Sequence, residues 1–342
     1  MSKVKVAIFG AAGYAGEELL RILTRHRQCE IVAITSRKNA GQPISTVFPR
    51  FTNSGLTFVM PDAASLKGKC DAAILALPHG LATEFAIPLL EQGIKVFDIS
   101  ADFRLKSPEK YKEYYGEEHP AKELLAKAVY GLPERYRDQI AKADLVACPG
   151  CYPTSSILPT APLLAAGLVS TKNIAVVSCS GVTGAGRKVD LAYIFPECNE
   201  SVKAYKVYGH RHLPEIEQEM AAAAKVDDMA INFIPHLVPT NRGINSTILL
   251  DAMPGCTMEK IAQVYEEAYG KEQFVRVLPA GRTSDTKYVT MTNTCEIGFN
   301  LDPHTNKVIL TSCIDNLTKG ASGQAVQCMN IRFGIDEAEG LI

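Results

Sequence analysis

An apolar strand-like run that breaks into three evenly spaced glycines and then turns helical is compatible with few folds, and this chain opens with one. "VKVAIFG" reads as a buried strand, "GAAGYAGEEL" follows with Gly10, Gly13 and Gly16, and "EELLRILTRH" spaces Leu19, Leu20 and Leu23 as a helix does. A sharp strand-to-helix turn needs glycine, and so does a backbone that must approach a ligand closely. The helix N-terminus then offers free N–H groups and partial positive charge to a pyrophosphate. The spacing is G-x-x-G-x-x-G, because Ala12 holds the second glycine position of the usual dinucleotide fingerprint. The place of the motif between strand and helix therefore carries the inference, against an ordinary ligand-free turn.

Four further apolar runs, "EIVAITS", "DAAILALP", "IKVFDIS" and "ADLVACPG", alternate with helix-like segments. That alternation predicts an α/β domain, a parallel sheet with helices on both faces. After Cys151 the connections lengthen. "NIAVVSCSG", "AINFIPHLV", "NSTILLDAM" and "FVRVLP" read as strands, and "CEIGFNLDPHTNKVILTSCID" as a hairpin turning at Asp302, Pro303, His304 and Asn306. Two helices are expected among them, "LPEIEQEMAAAAK" with Pro214 in its first turn and "TMEKIAQVYEEAYG" capped by Thr257. This is the pattern of a mixed-sheet α+β domain. The expected domains are residues 1–150 together with 315–342, and residues 151–314.

The formal net charge of −1 provides no basic stripe for nucleic acid and no polybasic membrane patch. No run of eighteen apolar residues predicts a membrane span, and "MSKVKVAIFG" does not read as a secretory signal. The ten cysteines are scattered, mostly inside apolar runs where a reduced thiol packs as a small hydrophobe. The expectation is a cytoplasmic enzyme acting on a small molecule.

An NAD site usually places Asp or Glu at the end of the second strand, to hold the ribose hydroxyls. Here "TSRKNAG" offers Ser36, Arg37 and Lys38, cations and a hydroxyl that favour the 2′-phosphate of NADP. "ACPGCYPTSS" raises a different question, because Cys148 and Cys151 stand three residues apart. A zinc clip needs a second such pair or a histidine couple, and the two-histidine segment below lacks further ligands, so no metal is expected. A thioredoxin-like pair would follow the first strand of its own fold rather than the fifth. Cys148 ends an apolar run and reads as structural. Cys151 emerges from Pro149-Gly150 at the start of a helix, which favours the thiolate, and reads as a nucleophile.

"GHRHLPEIEQ" supplies the proton partner: His210, Arg211 and His212 crowd before a helix, with Glu215 one turn beyond His212. "SGVTGAGRK", with Gly181, Gly184 and Gly186, lets backbone amides approach a ligand. "ISADFR" brings Asp102 and Arg104 to the carboxyl edge of a parallel sheet, where ligands bind. "DNLTKGASGQAVQ" reads as a glycine loop before an apolar helix.

Taken in order, "GAAGYAGEEL", "ALPHG", "DISADFRL", "VYGLPE", "PGCYPT", "SGVTGAGR", "HRHLPEI" and "DNLTKGASGQAVQ" resemble the N-acetyl-gamma-glutamyl-phosphate reductase family of arginine biosynthesis, over almost the whole length. "PGCYPT" is the most specific and looks like that family's active-site signature. The resemblance implies a Rossmann domain, a mixed α+β domain and a C-terminal helix returning to the first, the architecture of the semialdehyde dehydrogenases. It implies reversible NADPH-dependent reduction of N-acetyl-glutamyl 5-phosphate to the 5-semialdehyde and phosphate. Carried onto matching positions, it makes Cys151 the nucleophile, His212 the acid/base and Glu215 a supporting carboxylate. Arg104, His210 and Gly184 become substrate contacts. Gly10, Gly13, Tyr14, Gly16, Ser36, Arg37, Ser180, Gly181, Asn316 and Gln324 become cofactor contacts. A homodimer or homotetramer is expected from the sheet of the second domain.

Two rival readings remain at this level. A sister acyl-phosphate reductase, acting on aspartyl phosphate or an aminoadipyl homologue, would differ in substrate chain length. A redox module with a Cys148–Cys151 disulfide would make the two cysteines equally important.

Overall fold

The computed structural model describes residues 2–342, which divide into two compact units. The first comprises residues up to Glu109, Glu118–Gly150 and Ala321–Ile342; the second comprises Lys110–Glu117 and Cys151–Gly320.

Seven parallel strands build the first unit: β1 (Val4–Phe9), β2 (Cys29–Thr35), β3 (Phe58–Val59), β4 (Ala72–Leu75), β5 (Lys95–Asp98), β6 (Val129–Tyr130) and β7 (Leu145–Ala147). Their order across the sheet is β3-β2-β1-β4-β5-β7-β6. Alternation along β1 explains why both faces are covered. Val6 and Ile8 join Leu19, Leu20 and Leu23 of the Tyr14–Leu23 helix, and Val326 and Met329 of the Gly323–Arg332 helix. Ala7 and Phe9 join Phe85, Ala86 and Leu89 of the Ala82–Glu91 helix on the opposite face. The order reverses between β1 and β4, so the turns after these two strands flank the crevice where open α/β sheets bind ligands. The five long strands fall where the apolar runs predict them. β3 and β6 are two-residue edges, too short to show any period.

The second unit has a mixed seven-stranded sheet: β8 (Ala175–Gly181), β9 (Lys203–Ala204), β10 (Asn232–Val238), β11 (Ile244–Asp251), β12 (Val275–Val277), β13 (Cys295–Asp302) and β14 (Lys307–Ile314), in the order β12-β13-β14-β11-β8-β10-β9. β13 and β14 form the expected hairpin, whose turn is held by His304 N–H and Thr305 Oγ1 donating to Asp302. β11 alternates strictly, burying Ile244, Ser246, Ile248 and Leu250 and leaving Asn245, Thr247, Leu249 and Asp251 half-buried on the other face.

The helix that opens this unit, Cys151–Ala165, contains Pro159 and Pro162. Pro162 has no N–H to bond the Leu158 carbonyl, and Tyr269 Oη donates to that carbonyl at 2.6 Å in its place. Tyr265 Oη likewise donates to the Pro159 carbonyl. Both tyrosines belong to the Met258–Tyr269 helix, capped by Thr257 as expected. One sequence expectation changes: "TKGAS" is not a loop but a π-helical turn, Thr318–Ser322. No helix among the described residues is long and apolar enough to cross a membrane.

Candidate active site

In the first unit the glycine turn can be read position by position. Gly10 sits at φ +78°, and a Cβ there would lie 2.3 Å from the Ala76 carbonyl oxygen after β4; a Cβ at Gly16 would lie 2.5 Å from Ala11 Cα. These two glycines are required by the chain's own packing. Gly13 differs, since its nearest neighbour would be Gly10 O at 3.6 Å. Gly13 also caps the Tyr14–Leu23 helix with no side chain on its N–H groups. An open cradle over uncapped helix N–H groups fits a dinucleotide pyrophosphate.

The end of β2 is tied to this turn, with Gly10 N–H donating to Thr35 Oγ1 and Ala11 N–H to the Thr35 carbonyl. Tyr14 opens the helix half-buried, and Ser36 follows β2 with its Oγ accepting from Asn39 N and Nδ2. Arg37 is exposed, 3.2 Å from Glu84 and 6.0 Å above the Phe85 ring. Glu84 comes from the Ala82–Glu91 helix and pairs with the Arg37 guanidinium at the surface.

Other expected contacts of this unit have largely structural surroundings. Gln324 is fully buried, donates Nε2 to the Gly131 carbonyl, and leaves Oε1 without a hydrogen-bond partner. Asp102 is fully buried and accepts from Gly80 N and Ala82 N, capping the helix that follows "ALPHG". Arg104 is 5 % exposed, with Nε donating to the Cys148 carbonyl and Nη2 to the Ile99 carbonyl. Burial and the neighbouring Asp102 push the Asp98 carboxyl up to about 7. Cys148 is fully buried at the end of β7.

In the second unit Cys151 is the first residue of its helix and partly exposed. Gly320 leaves it room: a Cβ at 320 would stand 2.7 Å from the Cys151 Cβ. Tyr152 continues the helix and brings its hydroxyl 2.9 Å from that of Tyr205. Tyr152 then meets His210 edge-on at 5.5 Å and His212 at 5.9 Å, while His210 and His212 lie 5.0 Å apart. Burial, Tyr205 and Cys151 together hold the Tyr152 phenol well above its ordinary range; burial pushes Tyr205 up to about 12. Cys151, Tyr152, Tyr205, His210 and His212 therefore form one cluster. His212 caps the Leu213–Ala224 helix, and Glu215 is buried in its first turn. Phe233 on β10 completes the aromatic surroundings, 5.3 Å from His210. Phe233 carries no chemical signal in the sequence, although alternation along β10 puts it on the buried side.

A second cluster gathers Ser180, Gly181, Gly184 and Asn316. A Cβ on Gly181 would meet the Asn241–Arg242 backbone at 2.8 Å, and one on Gly184 would stand 3.2 Å from Ser180 Oγ. Asn316 accepts from Gly243 N and donates to Thr183 Oγ1, so its amide ties the glycine turn to the next strand. Asp315 anchors the same loop by accepting from Arg242, Met291 N, Leu317 N and Thr318 N. Nothing in the local sequence marks Asp315 apart from its place beside Asn316. All ten cysteines are free, and no group of three or more His, Cys, Asp or Glu able to hold a metal is gathered among the described residues.

Two family models cover most of the chain: "Semialdehyde dehydrogenase, NAD binding domain" matches residues 5–143, and "Semialdehyde dehydrogenase, dimerisation domain" matches residues 151–316. An N-acetyl-gamma-glutamyl-phosphate reductase of Akkermansia muciniphila is 51 % identical, covering 100 % of this chain and 99 % of its own. A protein of the same name from Pseudomonas syringae is 47 % identical, covering 99 % and 98 %. Among solved structures, aspartate semialdehyde dehydrogenase II of Vibrio cholerae complexed with ASA superimposes with a TM-score of 0.74 at 16 % identity, covering 98 % of this chain and 99 % of that one. The Candida albicans aspartate semialdehyde dehydrogenase with NADP gives 0.72 at 16 %, covering 100 % of both. These two share the fold.

Proposed function

The chain belongs to the N-acetyl-gamma-glutamyl-phosphate reductase family, and we propose that it reduces N-acetyl-L-glutamyl 5-phosphate to N-acetyl-L-glutamate 5-semialdehyde and phosphate through a thioester on Cys151. It is an oxidoreductase with a nucleotide-binding domain. The observation that carries the mechanism is a partly exposed thiol at the first residue of a 15-residue helix, in one cluster with Tyr152, His210 and His212.

The Cys151 sulfur, as thiolate beside the helix N-terminus, attacks the acyl carbon. The carbon–oxygen bond to phosphate breaks, phosphate leaves with the electron pair, and a thioester remains. NADPH, held at the glycine turn by Gly13 and the helix start, would supply the hydride for this acyl carbon. His212 donates a hydrogen bond or proton to the resulting oxyanion, and takes the proton back as the carbon–sulfur bond breaks. The aldehyde departs and the thiolate is restored. Glu215, buried one turn away, is the carboxylate proposed to support His212. Arg104 fixes the Cys148 carbonyl three residues before Cys151, and its guanidinium is the proposed contact for the anionic substrate.

Ser36, Arg37 and Lys38 favour NADPH over NADH, and Gly13 with the uncapped helix start holds the pyrophosphate. The half-buried face of the mixed sheet, with Val177, Ile234, Leu249 and Ile309, supports assembly into a homodimer or larger homo-oligomer. The deciding experiment is phosphate-dependent reduction of NADP by N-acetyl-glutamate 5-semialdehyde, run beside aspartate semialdehyde. Activity with the first alone is expected, followed by recovery of the acyl adduct on the Cys151 peptide. Equal activity with aspartate semialdehyde, or an adduct elsewhere, overturns the assignment.

A further inference from the structure

The two histidines of "HRH" occupy unlike surroundings. His210 is enclosed by rings on several sides: Tyr152 at 5.5 Å and 89°, Phe233 at 5.3 Å and 83°, Tyr205 at 5.7 Å and 71°, and His212 at 5.0 Å. The box comes from three separate stretches of chain. Tyr152 follows the nucleophile, Phe233 belongs to β10, and Tyr205 is fastened to β10 by its N–H on the Pro235 carbonyl. The hydroxyl-to-hydroxyl bond between Tyr152 and Tyr205 closes it.

Within the box, His210 Nδ1 accepts the backbone N–H of His212 at 3.1 Å. An Nδ1 that accepts cannot carry the proton, so the neutral ring bears its hydrogen on Nε2. That same backbone bond fixes the start of the Leu213–Ala224 helix, where His212 is the cap.

We propose that His210 is a positioning residue, a neutral imidazole locked in an aromatic box, whose Nδ1 sets the backbone from which His212 reaches the reacting centre. It is therefore not a cation for an anionic substrate group. Burial, then Lys206 and Arg211, push its imidazole down to about 4, and the remaining titratable neighbours are the Tyr152 and Tyr205 phenols, His212 and the Cys151 thiol of the same cluster. The proposal rests on the reading of His212 as acid/base, but its first test does not.

Nitrogen-15 NMR of histidine-labelled protein, without substrate, should show one ring in the Nε2–H form that stays neutral from pH 8 to about 5 and disappears in H210N. A His210 ring that is cationic at neutral pH, or protonated on Nδ1, overturns the proposal whatever the enzyme's substrate. Kinetics supply the second test. Asparagine can place an amide oxygen where Nδ1 accepts, whereas leucine cannot. H210L should lose roughly tenfold or more in kcat with KM for N-acetyl-glutamate 5-semialdehyde and phosphate little changed. H210N should recover much of that loss. A rise in KM for phosphate in both variants, with kcat kept, would make His210 an anion contact and defeat the proposal.

Discussion

Two strand-to-helix turns each repeat one residue type at a spacing of three, and the last two members of each series can be compared. After β1 the pair is Gly13 and Gly16; after β7 it is Cys148 and Cys151. In each pair the fold takes up one member and leaves the other available. Gly16 has backbone 2.5 Å from where a Cβ would be, while Gly13 has nothing nearer than 3.6 Å. Cys148 is fully buried, whereas Cys151 is partly exposed at the head of a helix. Residue type and spacing are the same within each pair, so the immediate surroundings decide which residue the fold leaves accessible.

The largest effect should separate the cysteines. Cys151→Ser is expected to lower kcat at least ~10³-fold. Cys148→Ser should cost about 1–3 kcal/mol of stability for a buried hydroxyl, read from the urea midpoint, and leave turnover within a few-fold. Equal loss of activity in both would break the comparison and restore the disulfide reading. Next comes the available thiol's partner. His212→Asn should reduce kcat on the order of 10²-fold with the folded circular dichroism spectrum kept. Wild-type turnover there would move the proton to His210.

Both turns were legible in the sequence because their signals are local: an apolar strand, a glycine or Pro-Gly turn, then helical spacing. Cys151 and the histidine group stand out in the sequence for the same reason, and the structure brings them into one cluster. Contacts between distant stretches do not stand out in this way. Glu84 reaches Arg37 from a helix whose sequence shows no such pairing, and the bonds that tie the Asn316 amide to Thr183 and Gly243 have no local signal. The two-residue edge strands have no period to detect, and a π-helical turn in "TKGAS" looks like any glycine loop.

The glycine pair offers a smaller but cleaner separation. Gly16→Ala should destabilise by about 1–3 kcal/mol through overpacking against fixed backbone. Gly13→Ala should cost about 0.5 kcal/mol or less as a cap change. It should nevertheless raise KM for the dinucleotide roughly tenfold, because the added methyl group enters the pyrophosphate space. If Gly13→Ala left that KM unchanged, the open cradle would have no ligand to hold.

The smallest effect extends the comparison to His210 and His212. His210 is pushed down to about 4, below its value in an unfolded chain. Between about pH 6.5 and that lower value the unfolded state binds a proton the folded state refuses, so stability should fall as pH falls through this window. Urea midpoints at pH 7.5 and 5.0 should converge partly in H210N. Identical slopes in the two proteins would mean that the folded ring takes up its proton at the same pH as the unfolded one.

The Gly323–Arg332 helix lends Val326 and Met329 to the face of the first sheet where Val6, Ile8 and Leu20 wait. During synthesis those earlier residues leave the ribosome long before their covering exists. The second unit can close while the first still shows greasy surface, so the order of birth and the order of completion run opposite ways. A stalled chain would be a natural client for chaperones, and release of the final helix would act as the latch on the nucleotide-binding half.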